Sequence, residues 1–328
     1  MSRTMHVVAR TLVMGAALIA VLAAALPAFA TFPGRNGRIA YSLDRGDGAQ
    51  IYSMSPNGSD RRQLTHLDGN ALAPDWSPDG RSIVFELDHP NGPTSCSIEI
   101  MNADGSNVMD LTGARPGCEG TPSFTPDGRR IVFWAETCEA CVEAIRSMDL
   151  HGRERRLVVQ PHGLFFKRPQ VSPDGRTVLF LAEQDLGVVD GIDANVKALF
   201  TVRSNGTHLR RVVPFDLDPC ACGGDWSPDG RSIEFGDNAG YGGSQVRPTN
   251  IATVRPDGSG FRLVTDFQHP DVYAANGSYS PDGRWILFRT SWAGHNTLWK
   301  IHPDGTHRTL VAHFQFSPGT RDWGPRPA

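Results

Sequence analysis

Lysine is almost missing from this sequence. Of the 32 basic residues only Lys167, Lys197 and Lys300 are lysine, and basic and acidic residues nearly cancel to a net charge of -3. Without a basic field the chain has nothing with which to recruit nucleic acid or acidic lipid. The arginine bias reads as coding composition, with arginine-rich binding as the alternative. A Gly-x-Ser-x-Gly elbow is also absent, which excludes the serine chemistry built on that strand-to-helix turn. No stretch beyond residue 30 carries an amphipathic helical pattern.

Turn residues, by contrast, are plentiful: 35 Gly and 24 Pro point to many tight reversals, while 39% hydrophobic and 20% charged residues are ordinary for a globular chain. A length of 328 residues suits one large all-β domain or two ordinary domains. One phrase decides between them. An aromatic or Val followed by Ser/Thr-Pro-Asp-Gly-Arg occurs at Trp76–Arg81, Phe124–Arg129, Val171–Arg176, Trp226–Arg231 and Tyr279–Arg284, a period of 47 to 55 residues. Pro fixes φ at the first central position of a type I turn, and Gly supplies the positive φ that returns the chain. Apolar runs such as Ile83-Val84-Phe85 and Ile286-Leu287-Phe288 follow each copy. A fixed period in this range means stacked supersecondary units or propeller blades.

Between and on either side of these phrases lie six further turns, at Asn57-Gly58, Asp104-Gly105, His151-Gly152, Asn205-Gly206, Asp257-Gly258 and Asp304-Gly305. Such dipeptides between apolar runs signal hairpins. Each repeat therefore holds four strands, A to D, with A and B joined by the Pro-Asp-Gly phrase and C and D by the second turn. There are six C–D turns but five intact A–B turns. Asp322-Trp323-Gly324-Pro325 at the far end echoes Asp75-Trp76-Ser77-Pro78, and Asn36-Gly37-Arg38 resembles the second half of the phrase. The expected architecture is an all-β, six-bladed β-propeller of four-stranded antiparallel blades, its last blade closed by the N- and C-terminal strands together. Closure covers apolar blade faces and an edge that an open array would leave in water.

The first thirty residues read separately. Arg3 and Arg10 precede an apolar run from Leu12 to Leu26, and Ala28-Phe29-Ala30 matches a signal-peptidase site. Residues 1–30 are expected to be a signal peptide for the general secretory route, and residues 31–328 a single propeller domain in the periplasm or outside the cell.

Repeats of the form apolar-x-Met-x-x-Asp-Gly-Ser, followed by aromatic-Ser-Pro-Asp-Gly-Arg-x-Ile-x-Phe, resemble those of TolB and related exported propellers, over roughly Asn36 to Pro325. The resemblance implies a periplasmic or secreted six-bladed propeller that binds proteins, in TolB's case a peptidoglycan-associated lipoprotein and envelope partners. TolB has an α/β domain ahead of its propeller, and the stretch between Ala30 and Asn36 is too short for one. The reading is therefore TolB-like, propeller only, with partners not copied across.

Strand order places the A–B and C–D turns on one uniform rim and the B–C and D–A loops on the other. The second rim, with irregular segments expected at Glu183–Val196 and Gly236–Thr249, is where function is expected. Cys96, Cys118, Cys138, Cys141, Cys220 and Cys222 all map to its loops. In an exported chain they are disulfide candidates, with a bridge expected among Cys118, Cys138 and Cys141 and Cys96 as a second partner. A Cys220–Cys222 bridge would be strained, and a thiolate metal site is the alternative.

His66, His162, His269 and His313 map to D–A loops at the channel mouth, and His89 and His295 to B–C loops. They are metal candidates for the alternative function, a metal-dependent hydrolase or lyase. Asp185, Asp190 and Asp193 lack the spacing of a calcium loop. Asp75, Asp225 and Asp322 recur ahead of Trp76, Trp226 and Trp323, which suggests structural hydrogen bonds and inter-blade packing. The leading expectation is a monomeric scaffold that binds an envelope or extracellular protein, peptide or glycan, without nucleic acid, membrane insertion or a required cofactor; no catalytic residue is assigned.

Overall fold

The computed structural model describes residues 32–89, 96–113, 117–137, 142–160, 164–189, 192–217, 219–237 and 248–327. The chain is a β-propeller, and the described residues contain no α-helix, only a three-residue 3-10 turn at Phe215–Leu217. The N-terminal strands β1 (Asn36–Asp44), β2 (Ala49–Met54) and β3 (Arg62–Gln63) come first. Next are β4 (Asn70–Trp76), β5 (Ser82–Asp88), β6 (Cys96–Asn102) and β7 (Met109–Asp110), then β8 (Cys118–Phe124), β9 (Arg130–Thr137), β10 (Val142–Asp149) and β11 (Arg156–Val159). These two meanders form one eight-stranded sheet, joined by a single parallel pair, Cys96 with Cys118.

Three four-stranded sheets follow in the same order. They are β12 (Phe165–Val171), β13 (Thr177–Val189), β14 (Ile192–Arg203), β15 (Arg210–Val213); β16 (Pro219–Trp226), β17 (Ile233–Asp237), β18 (Asn250–Val254), β19 (Arg262–Leu263); and β20 (Tyr273–Tyr279), β21 (Ile286–Trp292), β22 (His295–Ile301), β23 (Thr309–Phe314). The last strand, β24 (Pro318–Pro325), runs antiparallel to β1 and makes the fourth strand of the N-terminal sheet, with Trp323 opposite Ile39 and Asp322 opposite Ala40.

The Pro-Asp-Gly phrase forms the same turn each time. At Ser77 the hydroxyl donates to Asp79 Oδ1 (2.6 Å) and accepts from the Ser82 N–H (2.9 Å), while Asp79 Oδ1 also takes the Arg81 N–H. The copies at Ser172, Ser227 and Ser280 keep both hydroxyl bonds, and Thr125 supplies its hydroxyl in the same way. The glycines sit between φ 65° and 70°, a region that costs any residue with a Cβ. At the C–D turns the acidic or amide side chain caps the backbone two residues on, as Asp304 does for the Thr306 N–H (2.9 Å).

Alternating strand residues pack between neighbouring sheets. One apolar cluster joins Phe166 and Phe180 to Val132 and Ile145, and another joins Trp76 and Phe85 to Ala40 and Ile51. Trp76, Trp226 and Trp323 are all buried; the Trp226 ring N–H donates to the Gln170 carbonyl of β12, and that of Trp323 to the Gly37 carbonyl.

The segment expected to be irregular at Glu183–Val196 is instead largely strand. β13 and β14 pair from Thr177–Arg203 through Asp185–Asn195, with a bulge before Val188–Asp193. Backbone pairing does not require an apolar face, so the sequence there shows little of the alternation that marks a half-buried strand. Asp185 and Asp193 lie on this strand backbone, and Asp190 lies outside the described residues. Cys220 and Cys222 likewise fall on strand β16 rather than in a loop.

Candidate functional site at the channel mouth

The inner strands β4, β8, β12, β16, β20 and β24 meet around a central channel. Asp75, Thr121, Gln170, Asp225, Ser278 and Asp322, one from each, line a narrow neck of about 70 Å³. These strands do not run straight. Their ladders slip between Leu72 and Asp75, Gly120 and Ser123, and Lys167 and Gln170, each slip containing a left-handed residue before a proline: Ala73 (φ 48°), Thr121 (φ 45°) and Arg168 (φ 56°). A proline has no N–H to offer the ladder, so a bulge accommodates it. Positive φ at β-branched Thr121 is a strained choice, which the surrounding contacts must hold in place.

Carboxylates from neighbouring strands provide those contacts. The Thr121 N–H donates to Glu86 Oε2 (2.7 Å), and the Arg168 N–H donates to Thr121 Oγ1 (3.2 Å), so three successive inner or adjoining strands are linked. One position deeper, Asp75 Oδ2 accepts from the Phe124 N–H (2.8 Å), Asp225 Oδ2 from the Tyr279 N–H (2.8 Å), and Asp322 Oδ2 from the Trp76 N–H (2.7 Å). The recurring Asp before Trp is therefore a clasp from one inner strand to the next.

Burial shifts these acids. It raises Glu86 from the ordinary 4.5 to about 7 against the Thr121 N–H that favours the carboxylate, and raises Asp322 to about 6. Asp75 is pushed up by burial first and by the charge of Asp322 second.

Above the neck the channel opens into a cavity of about 610 Å³ on the B–C and D–A side. Its wall includes the residue that follows the repeated aromatic or the equivalent Tyr in five B strands: Ser42, Glu86, Trp134, Leu181 and Arg289. The turn rim repeats one chemistry; this ring has a hydroxyl, an acid, an indole, an alkyl chain and a guanidinium. Lys167, Arg168, Glu183 and Tyr273 complete much of the wall. Glu183 lies 3.9 Å from Lys197 Nζ, and Arg289 stacks over Tyr273 at 5.1 Å.

Cys118 lines this cavity and is bonded to Cys96. The pairing thus joins Cys118 to the first residue of β6. Cys138 and Cys141 lie outside the described residues.

The candidate histidines do not share one place. His66 Nδ1 bonds to the Gln63 amide (3.2 Å). The His269 ring lies tilted against Trp292 with centroids 5.1 Å apart, and its Nδ1 accepts the Asp271 N–H (3.3 Å). His313 lies on outermost strand β23 opposite Thr297, not in the loop after it, because that strand runs on to Phe314; His162 lies outside the described residues. Among the described residues, one group of three potential ligands converges within 4.8 Å, Glu86, Asp88 and Cys96. Cys96 is spent in the disulfide, so this group does not fit a metal through its sulfur. His89 belongs to a different network: its Nε2 lies 2.7 Å from Ser97 Oγ, which donates to Glu99 Oε1 at 2.9 Å. Ser97 is buried, and its hydroxyl donates a hydrogen bond to Glu99.

The sequence reading found the clasp positions but missed Glu86 and Arg289. Both sit at a strand position where five neighbours differ, so no repetition marks them.

Comparison with known proteins agrees with this architecture. An uncharacterized protein of Agrobacterium fabrum is 24% identical over 248 residues, covering 73% of this chain and 72% of its own length. The Tol-Pal system protein TolB of Bordetella pertussis is 32% identical over 141 residues, 30% of this chain and 32% of that protein. The crystal structure of TolB from Acinetobacter baumannii matches with a TM-score of 0.70 at 20% identity, over 88% of this chain and 67% of that one. A family profile described as the TolB beta propeller domain matches residues 18–213, and the chain belongs to that family.

Proposed function

We propose that this protein is an exported binding scaffold that engages an envelope or extracellular protein, peptide or glycan through its B–C and D–A rim. The observation that carries the reading is the contrast between the two rims. One is a repeated turn chemistry; the other opens into a cavity of about 610 Å³ whose wall changes character from strand to strand. Rigid repeated architecture with one variable, concave face is the usual form of a binding platform. Counting the eight-stranded sheet as two blades, the ring has six, and the β24–β1 pairing is its closure. Residues 1–30 act as the export leader and 31–328 as one propeller domain. The Cys96–Cys118 bridge supports an oxidising compartment, and the relatives named for the Tol-Pal system support an envelope partner.

The test is capture from envelope extract by the tagged mature chain. Replacing Glu86, Lys167 and Arg289 by alanine together is expected to abolish capture, whereas alanines at Arg129 and Arg176 on the turn rim are expected to leave it intact. The reverse pattern would place the partner on the other rim.

A further inference from the structure

We infer that the corner of the channel-mouth cavity formed by Arg289, Ser42, Gly319 and Tyr273 is a subsite for a carboxylate group carried by the ligand, an assignment that rests on the rim reading above. Arg289 lies on β21 opposite Ala275 and Leu298, and its side chain reaches the segment just before β24. There its Nη1 donates to Ser317 Oγ, and its guanidinium lies 5.1 Å from the Tyr273 ring centre. These contacts fix the plane of the group. They leave its Nε–H, a buried atom, without an acceptor among the described residues. The Nε and Nη2 edge of a guanidinium presents two parallel N–H bonds, the geometry that takes both oxygens of a planar carboxylate.

A second donor faces the same corner. Ser42 Oγ is buried and also has no hydrogen-bond partner among the described residues. It lies against Gly319, where a Cβ would fall 2.3 Å from the hydroxyl oxygen; glycine keeps that space open. Behind them Arg321 donates to the Ala275 and Gly319 carbonyls, which ties β24 to β20 at the back of the corner. A buried donor left unmade is costly, and two at one corner call for an acceptor from outside the chain.

The acids of the cavity do not fill this role. Glu183 is beside Lys197, and Glu86 accepts the Thr121 N–H and feels Arg168. Each acid thus has a cation of its own, and among the described residues neither pairs with Arg289. A neutral acceptor would satisfy the hydrogen bonds but not the charge of Arg289, which selects an anion.

Binding to the folded mature chain is read by titration calorimetry at neutral pH, with four probes. Acetyl-triglutamate amide and glucuronate carry the carboxylate on a peptide and on a sugar; acetyl-triglutamine amide and glucose are their neutral counterparts. At least one acid is expected to bind while its neutral counterpart does not, and which acid binds identifies the source of the carboxylate. R289Q is expected to weaken that binding about tenfold or more, and R289K to fall between, since lysine keeps the charge and loses the fork. Melting curves monitored by circular dichroism verify that the variants fold. If R289Q does not, the contrast between acidic and neutral probes on the unaltered chain still decides. No binding of either acid at about 10 mM, weaker than a site with one charged anchor gives, overturns the assignment, as does equal binding of acid and neutral probes or by R289Q. Anion binding that survives when envelope capture fails would sink the rim function and keep the subsite; capture without anion binding would do the opposite.

Discussion

Glu86 holds the strained bulge at Thr121 and titrates in a useful range. Its carboxyl is raised from 4.5 to about 7 by burial, and Glu99, buried on β6, is raised to about 7 for the same reason. A raised acid binds its proton more tightly in the folded chain than in the unfolded one. Its contribution is complete below about 4.5 and is lost as pH rises to about 7. The turn acids Asp104, Asp257 and Asp304 act oppositely, since their Ser or Thr partners hold them low, but their effect appears only as pH falls below 3.8.

Urea unfolding is therefore expected to show falling stability between pH 4.5 and 7. Glu86→Gln, which keeps an acceptor for the Thr121 N–H, should flatten that profile by on the order of 2 kcal/mol. An unchanged slope would remove Glu86 as its source.

Asp75 predicts a different pattern. Asp75→Ala strands the buried Phe124 N–H and is expected to cost about 2 kcal/mol, while Asp75→Asn keeps an oxygen there and should cost less than half as much by the same measurement. The clasp was legible in sequence because Asp precedes Trp in three repeats. The Glu86–Thr121 bond was not, since its partners are 35 residues apart and neither recurs.

At the scale of elements, the turn glycines separate backbone conformation from packing. Gly283 and Gly80 have nearly the same φ, 68° and 66°. A Cβ on Gly283 would meet only the Pro228 ring at 3.7 Å, whereas on Gly80 it would fall 2.3 Å from the Pro325 carbonyl oxygen. Gly283→Ala should therefore cost about 1 kcal/mol, the penalty for an L-residue in the left-handed region. Gly80→Ala should cost at least about 1 kcal/mol more, because backbone of the closing strand must move. Equal shifts in chemical denaturation would mean that Pro325 does not rest on that turn in solution.

The strand–turn–strand grammar was legible because Pro, Asp and Gly each fix a dihedral or cap a backbone group at the same offset in every copy. Strand lengths were not. The outer strands β3, β7 and β19 have two paired residues each, and the β13–β14 hairpin overruns the segment read as a loop. Backbone pairing follows register, which need leave no trace in side-chain alternation.

For the molecule as a whole, the Cys96–Cys118 bridge and the β24–β1 pairing both join separate segments of the chain, and they should fail differently. The Cys96–Cys118 bridge closes a loop of 22 residues, so replacing both cysteines by serine should lower stability by about 3 kcal/mol in the chain-entropy account while leaving one cooperative transition. β24 is not replaceable in that way. It supplies Asp322, the acceptor for the Trp76 N–H, and Trp323, which is 1% exposed, and it is the inner partner of β1. Removing residues 318–328 would expose the edge of β1, the apolar faces on either side and a gap in the channel wall together, with no neighbouring strand able to slide in. The expected result is loss of cooperative thermal unfolding and gain of dye-accessible apolar surface. Removing only residues 327–328, beyond the Arg326 N–H that bonds to the Arg35 carbonyl, should leave a cooperative transition. If both truncations melt alike and cooperatively, the ring is held by its blades individually and the terminal strand is an accessory, contrary to what the split turn phrase implies.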